Sequence, residues 1–252
     1  MRILITNDDG IHAAGIRALA EVASQFGEVA VVAPDRERSA CGHSMTMHDP
    51  LRIREQNWHF CKAFEVNGLP VDCVNVGLTV AFQDGCDLVL SGINHGGNLG
   101  YDITYSGTVG GAMEAAINGI KAVALSMALF VHDAPLHIET GKQWLLDNWR
   151  WLIGIEQTPG TFLNVNIPAI AYPEIQGVQV VPMGRRVYED RVEERADPWG
   201  RRYFWQGGIV VMDKSVPGTD FNAVANGFVA VTPISLDWTH HESLSSIKPP
   251  LK

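Results

Sequence analysis

Two adjacent carboxylates, Asp8 and Asp9, follow the apolar run Ile3-Leu4-Ile5 and precede Gly10. Two like charges about 4 Å apart repel by roughly 4 kcal/mol at an effective dielectric of about 20. A divalent cation relieves that repulsion and attracts a phosphate, which bare acids would turn away. Hard cations such as Mg²⁺ take oxygen ligands and keep part of their water shell. Two further polar loops, Pro34 to Ser44 and Ser91 to Gly100, supply matching donors in the Ser39 hydroxyl and the Asn94 side-chain oxygen. The plainer alternative is that Asp8 or Asp9 caps the next helix, a task aspartate performs well.

A fourth element, Tyr105 to Ala116, places Ser106, Gly107 and Thr108 before an amphipathic stretch. Hydroxyls and free backbone N–H groups at a helix start form an anion site; plain capping by Ser106 or Thr108 is the alternative. The run Gly96-Gly97-Asn98-Leu99-Gly100 permits close backbone approach to a ligand. His95 could protonate a leaving group, although a histidine so placed is more often a surface or structural residue, and the same holds for His12 and His43. Arg36 and Arg38 could steer an anion or pair with nearby acids such as Glu37. The G-x-G-x-x-G spacing of a dinucleotide site is absent after the first strand, which argues against that ligand.

These residues need a frame that brings distant loops together. From Arg2 to about Leu129 strand and helix alternate. Ile16, Leu19, Ala20, Ala23 and Phe26 recur at helical spacing, with Gly27 as a stop. Val29 to Ala33 is a β-rich run ended by Pro34. Residues 59–66 could form a strand with a turn at Asn67-Gly68. Residues 70–82 read as a helix with Pro70 in its first turn. Further strands fall at 86–92 and 121–129, with a helix from Thr108 between them. A helix over 139–153 and a strand over 161–168 complete the pattern. Strands apolar on both faces predict an α/β fold: a Rossmann-like, mostly parallel sheet with helices on both faces. In such a sheet ligands bind beyond the carboxyl ends of the strands, where three polar clusters fall: residues 7–10, 34–44 and 91–100.

After about Ile175 the character changes. Residues 177–183, 186–194 and 201–212 read as extended or hairpin segments turning near Trp199-Gly200. Residues 219–237 suggest a short helix, a glycine stop and a strand ended by Pro233. The organisation is therefore a core over residues 1–175 carrying the site, then a hairpin, returning strand and tail over 176–252 that form no independent domain.

The chain has 252 residues and a net charge of −9, which disfavours a nucleic-acid surface. Arginines between 185 and 202 are interleaved with acids, the pattern of a solvated or interface-forming face. No apolar run approaches the roughly 18 residues of a membrane span. No secretory leader is apparent. The four cysteines, Cys41, Cys61, Cys73 and Cys86, include no C-x-x-C pair and read as reduced thiols of a cytoplasmic protein.

The segments "ILITNDDGIHAAGI", "VVAPDRERSACGHSMT", "VNGLPVDCV", "LVLSGINHGGNLGYDITYSGTVGGAMEA" and "PGTDFNAVANGFVAVTPI" resemble the SurE family of stationary-phase survival phosphatases. The resemblance spans Ile3 to about Ile234. It implies a Rossmann-like 5′/3′-nucleotidase that hydrolyses nucleoside monophosphates, with short polyphosphate a further substrate in some members. It implies one divalent metal ion per subunit, Mg²⁺ or Mn²⁺, at Asp8, Asp9, Ser39 and Asn94, and phosphate contacts from Ser106, Gly107 and Thr108. It also implies homodimers or homotetramers in which C-terminal elements exchange between subunits. Ala14 stands where a proline is common, and Ala40-Cys41 where glycine is usual; both changes touch loop rigidity rather than ligand chemistry.

On this reading a metal-positioned water attacks a phosphate monoester, Asp8 or Asp9 orients the water or takes its proton, and Asn94 with the Ser106–Thr108 turn holds phosphoryl oxygens. A covalent aspartyl-phosphate is the other route, although the D-x-D arrangement that favours it is missing. The rival functions are a nucleotide- and metal-binding regulator without turnover, and an assembly protein working through its charged arm.

Overall fold

The first strand, β1 (Arg2–Thr6), is apolar on both faces and buried from Ile3 onward, so it can only be an interior strand. The computed structural model of the chain describes residues 1–129, 135–212 and 216–247. After β1 come α1 (Ala14–Ala23), β2 (Glu28–Pro34), β3 (Ile53–Gln56) and β4 (Lys62–Val66). The chain continues through α2 (Pro70–Val80), β5 (Leu88–His95), α3 (Gly107–Ile117), β6 (Lys121–Ala128), α4 (Ile138–Gly154) and β7 (Thr161–Pro168). The last third holds β8 (Gly177–Val180), β9 (Arg186–Ala196), β10 (Arg202–Met212), α5 (Asp220–Ala225), β11 (Phe228–Ser235) and α6 (His241–Leu244).

Nine strands form one sheet in the order β3-β4-β2-β1-β5-β6-β7-β11-β8. The chain runs outward from β1 to β2 on one side and to β5 on the other, so the switch point lies between β1 and β5. Pairing is parallel except for β3 on β4 and β11 on β7. Alternate residues serve opposite layers: Ile3 and Ile5 pack with Leu19, Trp144 and Trp149 of α1 and α4, whereas Leu4 packs with Val74 and Ala112 of α2 and α3. Phe26 stacks on Trp149 at a 4.4 Å centroid distance. Gly15 lets α1 touch the sheet, because a Cβ there would fall 1.9 Å from the Ile93 carbonyl oxygen. Among the described residues no helix is long and apolar enough to cross a membrane.

The mostly parallel α/β sheet matches the expectation, and several boundaries differ. α1 ends at Ala23, four residues before Gly27; the Ser24 hydroxyl donates to the Ala20 carbonyl and terminates it. β3 was not anticipated, since its residues show no alternation and lie exposed or half-buried along an edge. β11 does not stop at Pro233 but continues to Ser235. The Val231 carbonyl faces β8 and accepts from Val181 N–H. Pro233, two residues on, therefore directs its missing N–H to the side where β8 has already ended, and no ladder bond is lost. β9 and β10 form a separate antiparallel hairpin, turning at Pro198–Gly200 as the sequence suggested. The tail beyond residue 247 lies outside the described residues.

Candidate active site

β1 delivers Asn7, Asp8 and Asp9 to the switch point. Asn7 Nδ2 donates to the Gly10 carbonyl at 3.0 Å and closes the turn. Gly10 has φ +93°, and a Cβ there would meet the Arg36 backbone at 3.0 Å, so glycine is required. Ala13, at the start of α1, receives no side-chain cap. Neither aspartate caps the helix that follows it.

Asp8 is only 4% exposed. It accepts the Thr108 hydroxyl proton, and the backbone N–H groups of Gly107 and Thr108 lie near enough to favour its charged form. The N-terminus of α3, which the sequence marks as an anion site, thus lies beside the chain's own carboxylate. Ser106 Oγ accepts from Val109 N–H at 3.1 Å and caps α3, which leaves its own O–H proton for a further acceptor. Burial pushes the Asp8 carboxyl above the usual range, and the Thr108 and Gly107 donors oppose that rise. Asp9 Oδ2 accepts from His95 N–H at 3.1 Å. Burial, and after it the Asp8 charge, push Asp9 up to about 6.

The other loops close around this pair. Arg38 N–H donates to the Asp8 carbonyl at 2.7 Å, which lays the loop after β2 beside the acids. The Arg38 guanidinium turns instead to the Asn67 carbonyl at 2.7 Å and to Asp35. Ser39 Oγ is exposed and donates to Glu37 Oε1 at 2.7 Å, and the Glu37 charge also reaches Asp9. Asn94 Nδ2 donates to the Gly96 carbonyl at 2.8 Å, which reserves its Oδ1 for a ligand. Among the described residues no three His, Cys, Asp or Glu side chains converge on a point. A cation here would therefore draw on two carboxylates and on the neutral oxygens of Ser39 and Asn94. That all-oxygen donor set, with both acids raised by burial and Asp9 also by the Asp8 charge, fits a hard divalent ion.

The histidines divide. His12 and the His95 side chain are exposed, and His43 pairs with Glu114. Several residues escaped the sequence reading. Asp72 accepts from Thr46 N–H, Thr46 hydroxyl and Leu69 N–H, tying the loop before β3 to α2. Asn98 is held by Ser126, Asn164 and Asn166 in a buried network beneath the glycine-rich loop. Asp220 accepts N–H groups from Gly100, Gly184 and Phe221. Polar residues inside otherwise apolar strands, such as Asn164 and Asn166, were the available signal for the second of these.

The profile of the family described as "Survival protein SurE" matches residues 3–190. The chain belongs to the SurE family. It is 44% identical over 248 residues to the "5'-nucleotidase SurE" of Geobacter sulfurreducens, covering 98% of this chain and 93% of that one. The protein of the same description from Gemmatimonas aurantiaca is 44% identical over 250 residues, with 98% and 97% covered. The crystal structure of the SurE protein from Aquifex aeolicus superposes with a TM-score of 0.85 at 41% identity, covering 98% of each chain. The expected Rossmann-like fold and the resemblance to the SurE family over most of the chain are both borne out.

Proposed function

We propose that this protein is a divalent-metal-dependent phosphomonoesterase that hydrolyses nucleoside 5′- and 3′-monophosphates, with short polyphosphate as a further substrate. The observation that carries this reading is the pair of adjacent carboxylates at the switch-point crevice, Asp8 buried and Asp9 half-buried, bordered by neutral oxygen donors and the N-terminus of α3. The relatives described as 5'-nucleotidases support the nucleotide class.

Asp8, Asp9, Ser39 and Asn94 would hold one Mg²⁺ or Mn²⁺ ion. When bound, that ion supplies a water of lowered pKa and offsets phosphoryl charge. Thr108 fixes the Asp8 carboxylate. His95 N–H occupies Asp9 Oδ2 and leaves Oδ1 to orient the attacking water and take its proton. Burial and the Asp8 charge raise this carboxyl, which suits it to take a proton. Asn94, the uncommitted Ser106 O–H and the backbone of Gly107 and Thr108 would contact the phosphoryl oxygens. The deciding assay is phosphate release from AMP and p-nitrophenyl phosphate. Release should vanish with EDTA and return with Mg²⁺ or Mn²⁺. Release that survives exhaustive chelation rejects the metal, and binding of AMP without release under any metal leaves a nucleotide-binding regulator.

The β9–β10 hairpin stands off the main sheet and exposes Val192, Trp199, Phe204 and Trp205, with Trp199 80% exposed. Arg202 pairs with Glu194 and Arg195 with Glu193 along the same ribbon. Exposed apolar side chains on a ribbon outside the main sheet suit contact with another subunit. We read the hairpin and tail as the homodimer or homotetramer contact, with C-terminal exchange. Light scattering should give a mass of at least two chains, falling when Trp199 and Trp205 are both changed to Glu. A monomeric wild-type protein would remove this role.

A further inference from the structure

We infer that His43 and Glu114 are a positioning pair that seats the Ser39 loop against the N-terminus of α3, an inference that rests on the metal-dependent reading above. Gly107, Gly110 and Glu114 lie three and four residues apart and share one face of α3. A Cβ on Gly107 would fall 2.6 Å from Cys41 Sγ, and one on Gly110 would fall 2.7 Å from the Gly42 oxygen and 3.3 Å from His43 Cα. Residues 41–43 therefore run flush along that face, in a channel that side chains at 107 and 110 would fill.

Two polar contacts fasten the segment. Near the helix start, Gly42 N–H donates to the Tyr105 carbonyl at 2.8 Å. At the far end, His43 Nε2 meets Glu114 Oε2 at 2.8 Å. Glu114 is 6% exposed, and its other oxygen accepts from Asn75 Nδ2 of α2 at 2.9 Å. A buried carboxylate that loses a donor is destabilised far more than a surface one, so the His43 contact is a firm anchor. Ala40 and Gly42 both take φ of +58°, which makes the link from Ser39 to the anchored segment a fixed bend.

The pair works through the loop. Glu114 lies six residues beyond Thr108, about 9 Å along the helix axis, while Ser39 lies at the end where the acids and Ser106 gather. Releasing His43 should therefore loosen a metal donor without disturbing Asp8 or Asp9.

The test compares wild type, His43→Ala and His43→Gln by hydrogen exchange, Mn²⁺ calorimetry and AMP turnover. In His43→Ala, exchange across residues 36–47 should rise about tenfold while the central strands keep wild-type protection. The Mn²⁺ dissociation constant and the Mn²⁺ concentration giving half-maximal rate should rise together by about tenfold, with kcat at saturating Mn²⁺ within about threefold of wild type. His43→Gln, whose amide can reach Glu114, should restore both properties. Unchanged exchange and Mn²⁺ affinity in His43→Ala overturn the inference, as does a glutamine variant no better than alanine. If His43→Ala fails to fold, Glu114→Gln keeps the side-chain shape and should show the same pattern in weaker form; wild-type values there overturn it equally. A wild-type protein that binds Mn²⁺ yet releases no phosphate sinks the nucleotidase reading alone, because exchange and calorimetry still decide the pair.

Discussion

Asp8→Asn is expected to lower kcat/KM for AMP about a thousandfold or more, a loss of roughly 4 kcal/mol of transition-state stabilisation. The substitution keeps the side-chain shape and leaves an oxygen to accept the Thr108 hydroxyl proton. It removes one of the two charges that would hold the cation. The fold should survive, because losing a buried charge relieves Asp9, whose carboxyl the Asp8 charge helps push up to about 6. Thermal unfolding in EDTA should therefore stay close to wild type while turnover disappears. Activity within about tenfold of wild type would exclude Asp8 from the chemistry. Loss of activity together with loss of the folded state would make Asp8 structural.

The second large effect is on stability. Asp220 is fully buried, and its carboxylate accepts from Gly100 and Gly184 at 2.7 Å each and from Phe221 at 2.8 Å. One side chain thereby joins the segment below the candidate site, the root of the hairpin and the start of α5. Phe221 fills the gap between them, since a Cβ on Gly100 would lie 2.7 Å from its ring and 2.6 Å from the Gly184 oxygen. Asp220→Ala leaves three enclosed N–H groups without an acceptor and should cost about 3 kcal/mol. For a chain of this size that lowers Tm by roughly 6–12 °C. A shift under about 2 °C would mean that water or a neighbouring carbonyl replaces the carboxylate.

The sequence made the frame legible where burial is two-sided. β1, β2 and β6 are apolar runs, and the loops after β1 and β2 together with the C-terminal end of β5 carry Asp8, Asp9, Ser39 and Asn94 to one edge. It left β3 invisible, because an exposed edge strand has no buried face to impose a period. It misplaced the ends of α1 and β11, because Gly27 and Pro233 resemble stops while Ser24 and the end of β8 set the real boundaries. Asp220 and Glu114 escaped for another reason: their partners lie 120 and 71 residues away. Only three-dimensional packing shows that each meets an unpaired donor. The spacing of Gly107, Gly110 and Glu114 was present all along, hidden inside a helix that already looked amphipathic.

β11 enters the sheet between β7 and β8, both of which precede it in the chain. During synthesis β7 must therefore wait with a naked flank until residue 235 has been added, while β8 has no place to dock. A nascent chain paused in that interval exposes a ready template for another copy of itself. A fragment cut after residue 175 would carry the same flank permanently, which makes the last third of the polypeptide a guard against aggregation as well as a source of contacts.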